Sequence, residues 1–158
     1  MKTNITPLSK KDLRNNLRKD NSNTDTLFIN LCVDNLDIDP NIILKKTLIK
    51  NAYIEIKGNS IINKSGIKIQ NKSNFWSIER KYKNATIPEK YISNFIKKYL
   101  IPNSLFFKKT FKNSNAKLQI IYYYYKSNNP GLLISKNTIK LLSEYSLEIE
   151  LDIYCLFE

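Results

Sequence analysis

The sequence contains no histidine. That removes the usual general base near neutral pH, the Ser-His and Cys-His nucleophile arrangements, and the commonest ligand for zinc or copper. Cysteine is scarce: Cys32 and Cys155 lie too far apart in sequence to announce a disulfide framework or a zinc site, and both fall inside apparent strands as small apolar fillers. Arginine is limited to Arg14, Arg18 and Arg80, although Lys and Arg together number 26. The formal charge of +12 therefore rests on lysine, without the guanidinium forks favoured for phosphate and guanine contacts. A basic balance of this kind has two readings, an acidic or nucleic-acid partner and a Lys, Asn and Ile-rich compositional bias. Gly 3 and Pro 5 argue against a loop-rich or fibrous class. No apolar run approaches the roughly 18 to 20 residues that span a bilayer, and the first 25 residues carry no signal-peptide core, so the expectation is a cytoplasmic protein with no membrane partner.

What is present is enough for a folded unit. A chain of 158 residues with 42% apolar and 11% aromatic residues can bury a core without disulfides or metal. Residues 1–25 read as a polar basic arm, in which Ser9 to Lys19 could form a short helix bearing Lys10, Lys11, Arg14, Arg18 and Lys19. Residues 26–158 read as one α+β domain.

Its clearest signal is the last stretch. Ser135 is an N-cap, and Ile139, Leu142 and Tyr145 follow at helical spacing. The period then changes to two: Leu147, Ile149, Leu151, Ile153 and Cys155 alternate with Glu148, Glu150, Asp152 and Tyr154. This predicts a strand with one apolar side and one wet side. Thr26 to Val33 is an earlier strand, and Asp39-Pro40 starts a helix with a capping carboxylate and proline in its first position. Ala52 to Lys57 and Gly66 to Gln70 read as extended segments of an edge hairpin. In Phe75 to Arg80, Trp76 shares a face with Ile78 and Arg80 and reads as a core anchor that reports on folding. Thr86-Ile87-Pro88-Glu89 has the spacing of a capping box, and Pro102 ends or bends the helix after it. Lys117 to Tyr125 is a strand containing four consecutive tyrosines, Asn128 to Gly131 is a turn, and Leu132 to Ile134 returns briefly.

The resulting order is β-α-β-β-β-α-(α)-β-β-α-β. It predicts an α+β fold: a mixed or antiparallel sheet with helices on one face. A strand followed by a capped helix occurs at 26–40 and again at 117–136, an echo that fits two ferredoxin-like halves.

The opening strand with Asp37-Ile38-Asp39-Pro40, the central Phe75-Trp76-Ser77-Ile78-Glu79, the helix-bearing stretch after it, and the ending Leu133-Ile134-Ser135 through Leu151-Asp152-Ile153-Tyr154 are in the order of a bacterial family. Over residues 26 to 156 the chain resembles family 4279 of the domains of unknown function. The resemblance implies a small cytosolic binding protein, of the kind that serves as an immunity protein beside secreted toxins. It brings no catalytic motif.

Three function classes follow. The first is an immunity or antitoxin-like module that neutralises a cognate toxin by direct contact. The second is a nucleic-acid-binding module using lysines and exposed tyrosine rings for stacking. An enzyme is the third, since Glu79, Glu148, Glu150 and Asp152 are strand carboxylates that lack a recognisable acid/base arrangement. No catalytic, cofactor-binding or metal-ligating residue is assigned. The partner-contact candidates are Tyr123, Tyr125, Glu148, Glu150 and Asp152.

Overall fold

The computed structural model describes residues 24–62, 65–125 and 131–156. The expected basic arm, apart from Thr24 and Asp25, lies outside them. So does the expected turn at 128–131, except for Gly131.

Strand β1 (Thr26–Asp34) is the middle of a five-stranded sheet. Leu27, Ile29, Leu31 and Val33 are fully buried on one side, and Phe28 and Cys32 are buried on the other. The helix side is uniformly apolar, and on the other side Phe28 packs against Ile121 and Tyr123 of β6, so the strand reads as apolar at most positions. It pairs antiparallel with β5 (Phe75–Lys83) and with β6 (Asn115–Tyr125). The outer strands are β2 (Tyr53–Glu55), antiparallel to β5, and β7 (Glu148–Leu156), parallel to β6. The order across the sheet is β2-β5-β1-β6-β7.

This mixed sheet contains two β-α-β units. β1 and β2 are both antiparallel to β5, hence parallel to each other, and helix α1 (Pro40–Thr47) connects them with β5 inserted between. β6 and β7 are adjacent and parallel, connected through the segment containing α4 (Lys136–Ser143). The two strands that echo each other in sequence, β1 and β6, therefore begin these units. The first unit is split and the second is not.

Among the described residues the helices lie on one face. Between β5 and β6 the chain forms α2 (Pro88–Phe95), a π-helical turn (Ile96–Leu100), a 3-10 turn (Ile101–Asn103) and α3 (Ser104–Phe111). Pro102 lies in the 3-10 turn, and the run is interrupted at Asn103, whose backbone is not helical and which is the N-cap of the helix that follows. Ile43, Ile92, Phe95, Phe107 and Leu142 from these helices join one core with the alternate residues of β1, β5 and β6. Trp76 is fully buried there, its ring centroid 6.0 Å from that of Phe107. The reading of Trp76 as a core anchor holds.

The caps divide. Asp39 accepts from the Asn41 backbone N–H at 2.9 Å, and Ser135 from that of Thr138 at 3.2 Å, as predicted. The capping box at Thr86 does not form: Ile87 is the N-cap, without a side-chain bond. Glu89 instead accepts the Thr138 hydroxyl at 3.1 Å, tying α2 to α4. Only the second expected extended segment belongs to a hairpin of its own. β3 (Ser60–Ile62) and β4 (Lys68–Gln70) pair with each other, whereas β2 joins the main sheet. Leu132 to Ile134 forms no strand.

Candidate functional site

The five residues expected to contact a partner all lie on the side of β6 and β7 that faces away from the helices. Parallel register sets Lys117 beside Glu148, Gln119 beside Glu150, Ile121 beside Asp152 and Tyr123 beside Tyr154. Within this group the structure makes a clear distinction. Tyr123 is only 3% exposed and stacks on Tyr154, with ring centroids 4.8 Å apart and planes 14° apart. It packs with Phe28 and Ile121 into a small second cluster, so the expected exposed Tyr123 ring is corrected to a packed one. The phenol has a large apolar body, and its neighbours on this side are apolar. Tyr125 is half-buried at the end of β6.

The carboxylates behave differently. Glu148 is exposed, while Glu150 and Asp152 are half-buried. Glu150 accepts from the Lys117 ammonium at 2.6 Å and from the Gln119 amide at 3.2 Å. That hydrogen bond keeps the Lys117 ammonium protonated to higher pH than an ordinary lysine. Two donors of β6 thus hold Glu150, the middle carboxylate of the acidic row of β7, in place on a chain of opposite overall sign.

Sequence reasoning missed the other side of β7. Alternation correctly separates Leu151, Ile153 and Cys155 from the carboxylates but predicts that they are buried. Leu151 is 46% exposed, Ile153 is 51% exposed, and Cys155 is exposed too. β7 ends the sheet, and the eight-residue α4 reaches the core through Leu142, while Tyr145 and Leu147 fill the space after it. Ile139, expected on the buried stripe of α4, is instead 51% exposed. The outer edge of β7 meets no other described strand. Periodicity identifies a strand's two sides, whereas its place in the sheet is a tertiary fact.

Among the described residues no group of three or more His, Cys, Asp or Glu is placed to hold a metal ion. No helix among them is long and apolar enough to cross a membrane. The family described as "Domain of unknown function (DUF4279)" matches residues 26–156. The chain belongs to the DUF4279 family. The match spans the whole sheet, from the first residue of β1 to the last of β7, and covers the same residues as the resemblance seen in the sequence. The β7 edge is thus part of the DUF4279 region itself. No curated protein and no solved structure matches the chain.

Proposed function

We propose that this DUF4279 protein is a cytoplasmic binding protein of the immunity or antitoxin type, which neutralises a cognate bacterial toxin by direct contact along β7. One observation carries the reading: a nine-residue edge strand has an outer edge that no other described strand pairs with, a row of carboxylates on one side and half-exposed Leu151 and Ile153 on the other. An exposed edge strand invites pairing with another chain, and proteins blunt such an edge with charged side chains, above all lysine, with proline or with a bulge; the charged residues of β7 are carboxylates, which would turn away acidic partners and admit a basic one. β7 contains no lysine or proline. A partner adding a strand here would gain main-chain hydrogen bonds from the edge and specificity from alternate side chains. The acidic row suits a basic partner strand despite the positive charge of the chain as a whole.

A nucleic-acid reading is less favoured: Tyr122 and Tyr123 are 1% and 3% exposed, which leaves the half-buried Tyr124 and Tyr125 of the four consecutive rings to stack on a base.

The test is capture of the partner from native cell extract by the tagged protein, washed at low and then high salt, with the bound material identified by mass and nuclease sensitivity. The expected outcome is a single stoichiometric protein that survives high salt and whose toxicity is suppressed by the purified chain. Nucleic acid released as salt rises would overturn the reading.

A further inference from the structure

Toward the other edge of the sheet from β7, the residues following α1 meet β5 and the π-helical turn around a cleft of about 380 Å³. Arg80, the only arginine among the described residues, lines it together with Lys50 and Lys98. Among the described residues no carboxylate shares the lining. The guanidinium is fixed from several sides: Nε donates to the Tyr99 hydroxyl at 2.8 Å, Nη1 to the Glu79 carbonyl at 2.6 Å, and Nη2 to the Lys50 carbonyl at 3.5 Å. It has more N–H donors than these three acceptors use. Tyr99, 7% exposed, has both Arg80 and Lys98 against its ring, at 5.1 and 5.3 Å from the centroid.

Two backbone features converge on the same place. Lys98 and Tyr99 belong to the π-helical turn, a form that is rare and concentrated at functional sites. Leu48 and Asn51 both have left-handed backbone, with φ of 55° and 61°. For leucine at a helix C-cap this conformation is costly, since glycine is the usual occupant, and Leu48 is also 80% exposed. The carbonyl end of α1 borders the cleft as well. Its last turn is already engaged, the Thr47 hydroxyl donating to Ile43 O at 2.7 Å and the Leu48 N–H to Leu44 O at 3.2 Å. A second, apolar groove of about 510 Å³, lined also by Leu44 and Ala52, shares Leu48 to Asn51 with the cleft.

We propose that the cleft and the groove, through the residues they share, together bind a small amphiphilic organic anion, its carboxylate or phosphate on Arg80, Lys98 and Lys50 and its apolar body over Leu44, Leu48 and Ala52. Pre-positioned cations without a competing carboxylate supply the head-group site, since charge-assisted hydrogen bonds to an oxyanion are the strong class. The exposed leucine supplies the apolar contact that solvent otherwise penalises. This site is separate from β7 and does not depend on the nature of the partner there.

The test is titration of the ¹⁵N-labelled full chain with hexyl phosphate, hexanoate and inorganic phosphate, followed by amide shifts. Saturable shifts are expected at Leu48, Asn51, Lys98 and Tyr99, with at least one hexyl ligand binding more tightly than phosphate. The tighter of the two identifies the head group. Lys98→Gln and Lys50→Gln should each weaken binding about five- to tenfold, the loss of one charge-assisted contact. Leu48→Ser should weaken the hexyl ligands and leave phosphate unchanged. Shifts spread over surface lysines without saturation, or affinities unaltered by Lys98→Gln in a variant with native near-UV circular dichroism, would overturn the proposal.

Discussion

Asp25 holds the end of β6: one oxygen of its carboxylate accepts the Tyr125 backbone N–H at 3.0 Å, and the other accepts the Tyr122 hydroxyl at 3.3 Å. Asp25 is 2% exposed and immediately precedes β1, so this contact joins the start of the central strand to the far end of its neighbour. Burial and the nearby Asp25 carboxylate push the Tyr122 phenol above its ordinary range. Replacing Asp25 with alanine leaves a half-buried N–H and a buried hydroxyl without this acceptor, a loss of about 1–3 kcal/mol. Urea unfolding followed by Trp76 fluorescence should show it, and Asp25→Asn, which keeps one acceptor oxygen, should lose less. Equal stability of Asp25→Ala and the parent would mean that water replaces the carboxylate.

The two cysteines should react very differently. Cys32 lies in the central strand, 7% exposed, and burial pushes its thiol up to about 12, with Lys117 opposing weakly. Cys155 is exposed near the end of the edge strand, so its expected role as an apolar filler does not hold. Because the thiolate is the reactive form, a disulfide reagent at pH 8 should modify one equivalent quickly and the second only on unfolding. Cys155→Ser should remove the fast phase. A fast phase that persists would mean that β1 opens readily.

Much of this architecture is legible in residue periods, because strands buried on one or both sides declare themselves locally. β1, β5, β6 and β7 alternate as expected, and Asp39-Pro40 and Ser135 mark the starts of α1 and α4. What is not legible depends on partners distant in sequence. Glu89 has the spacing to close a capping box, yet Thr138, 49 positions away, takes its carboxylate. Tyr123 and Tyr125 share a face in the alternation and look equivalent there, and only the stacking of Tyr154 on Tyr123 makes Tyr123 the packed ring of the two. Arg80 shares a face with Trp76 and Ile78, as read, but its cleft requires residues 47–51 and the π-helical turn to arrive beside it.

Glu79 links stability to pH. Burial raises its carboxyl above the ordinary carboxylate range, with Lys81 opposing. The folded state therefore favours the protonated acid, and the stabilisation this gives is fully present below the unfolded value and lost as pH rises through the folded value. Opposite it in the β1–β5 register is Asn30, whose Oδ1 is buried without a partner. Glu79→Gln removes the cost of burying a charge and supplies an amide donor on this side of the sheet. The variant should melt at a higher temperature than the parent near pH 7, and the difference should shrink as pH falls through the carboxylate range. A gain that is constant across pH would assign the effect to packing.

The edge strand gives the sharpest separation between stability and binding. Ile153 is 51% exposed on a strand whose outer edge meets no other described strand, so lysine there removes little buried area and adds the charged blocker common on protected edges. Stability should change by no more than about 0.5 kcal/mol, the usual range for surface substitutions. A partner that adds a strand along β7 would have to bury that ammonium or lose the apolar contact, so its complex with Ile153→Lys should weaken by at least about tenfold, or 1.4 kcal/mol. Glu148→Lys, at the exposed start of the acidic row, should mainly slow association and reduce its dependence on salt, because it alters steering and not the apolar contact. Isothermal titration and stopped-flow mixing of the purified pair separate the two effects. If both variants bind like the parent, the partner sits elsewhere and β7 is an edge left open for another reason.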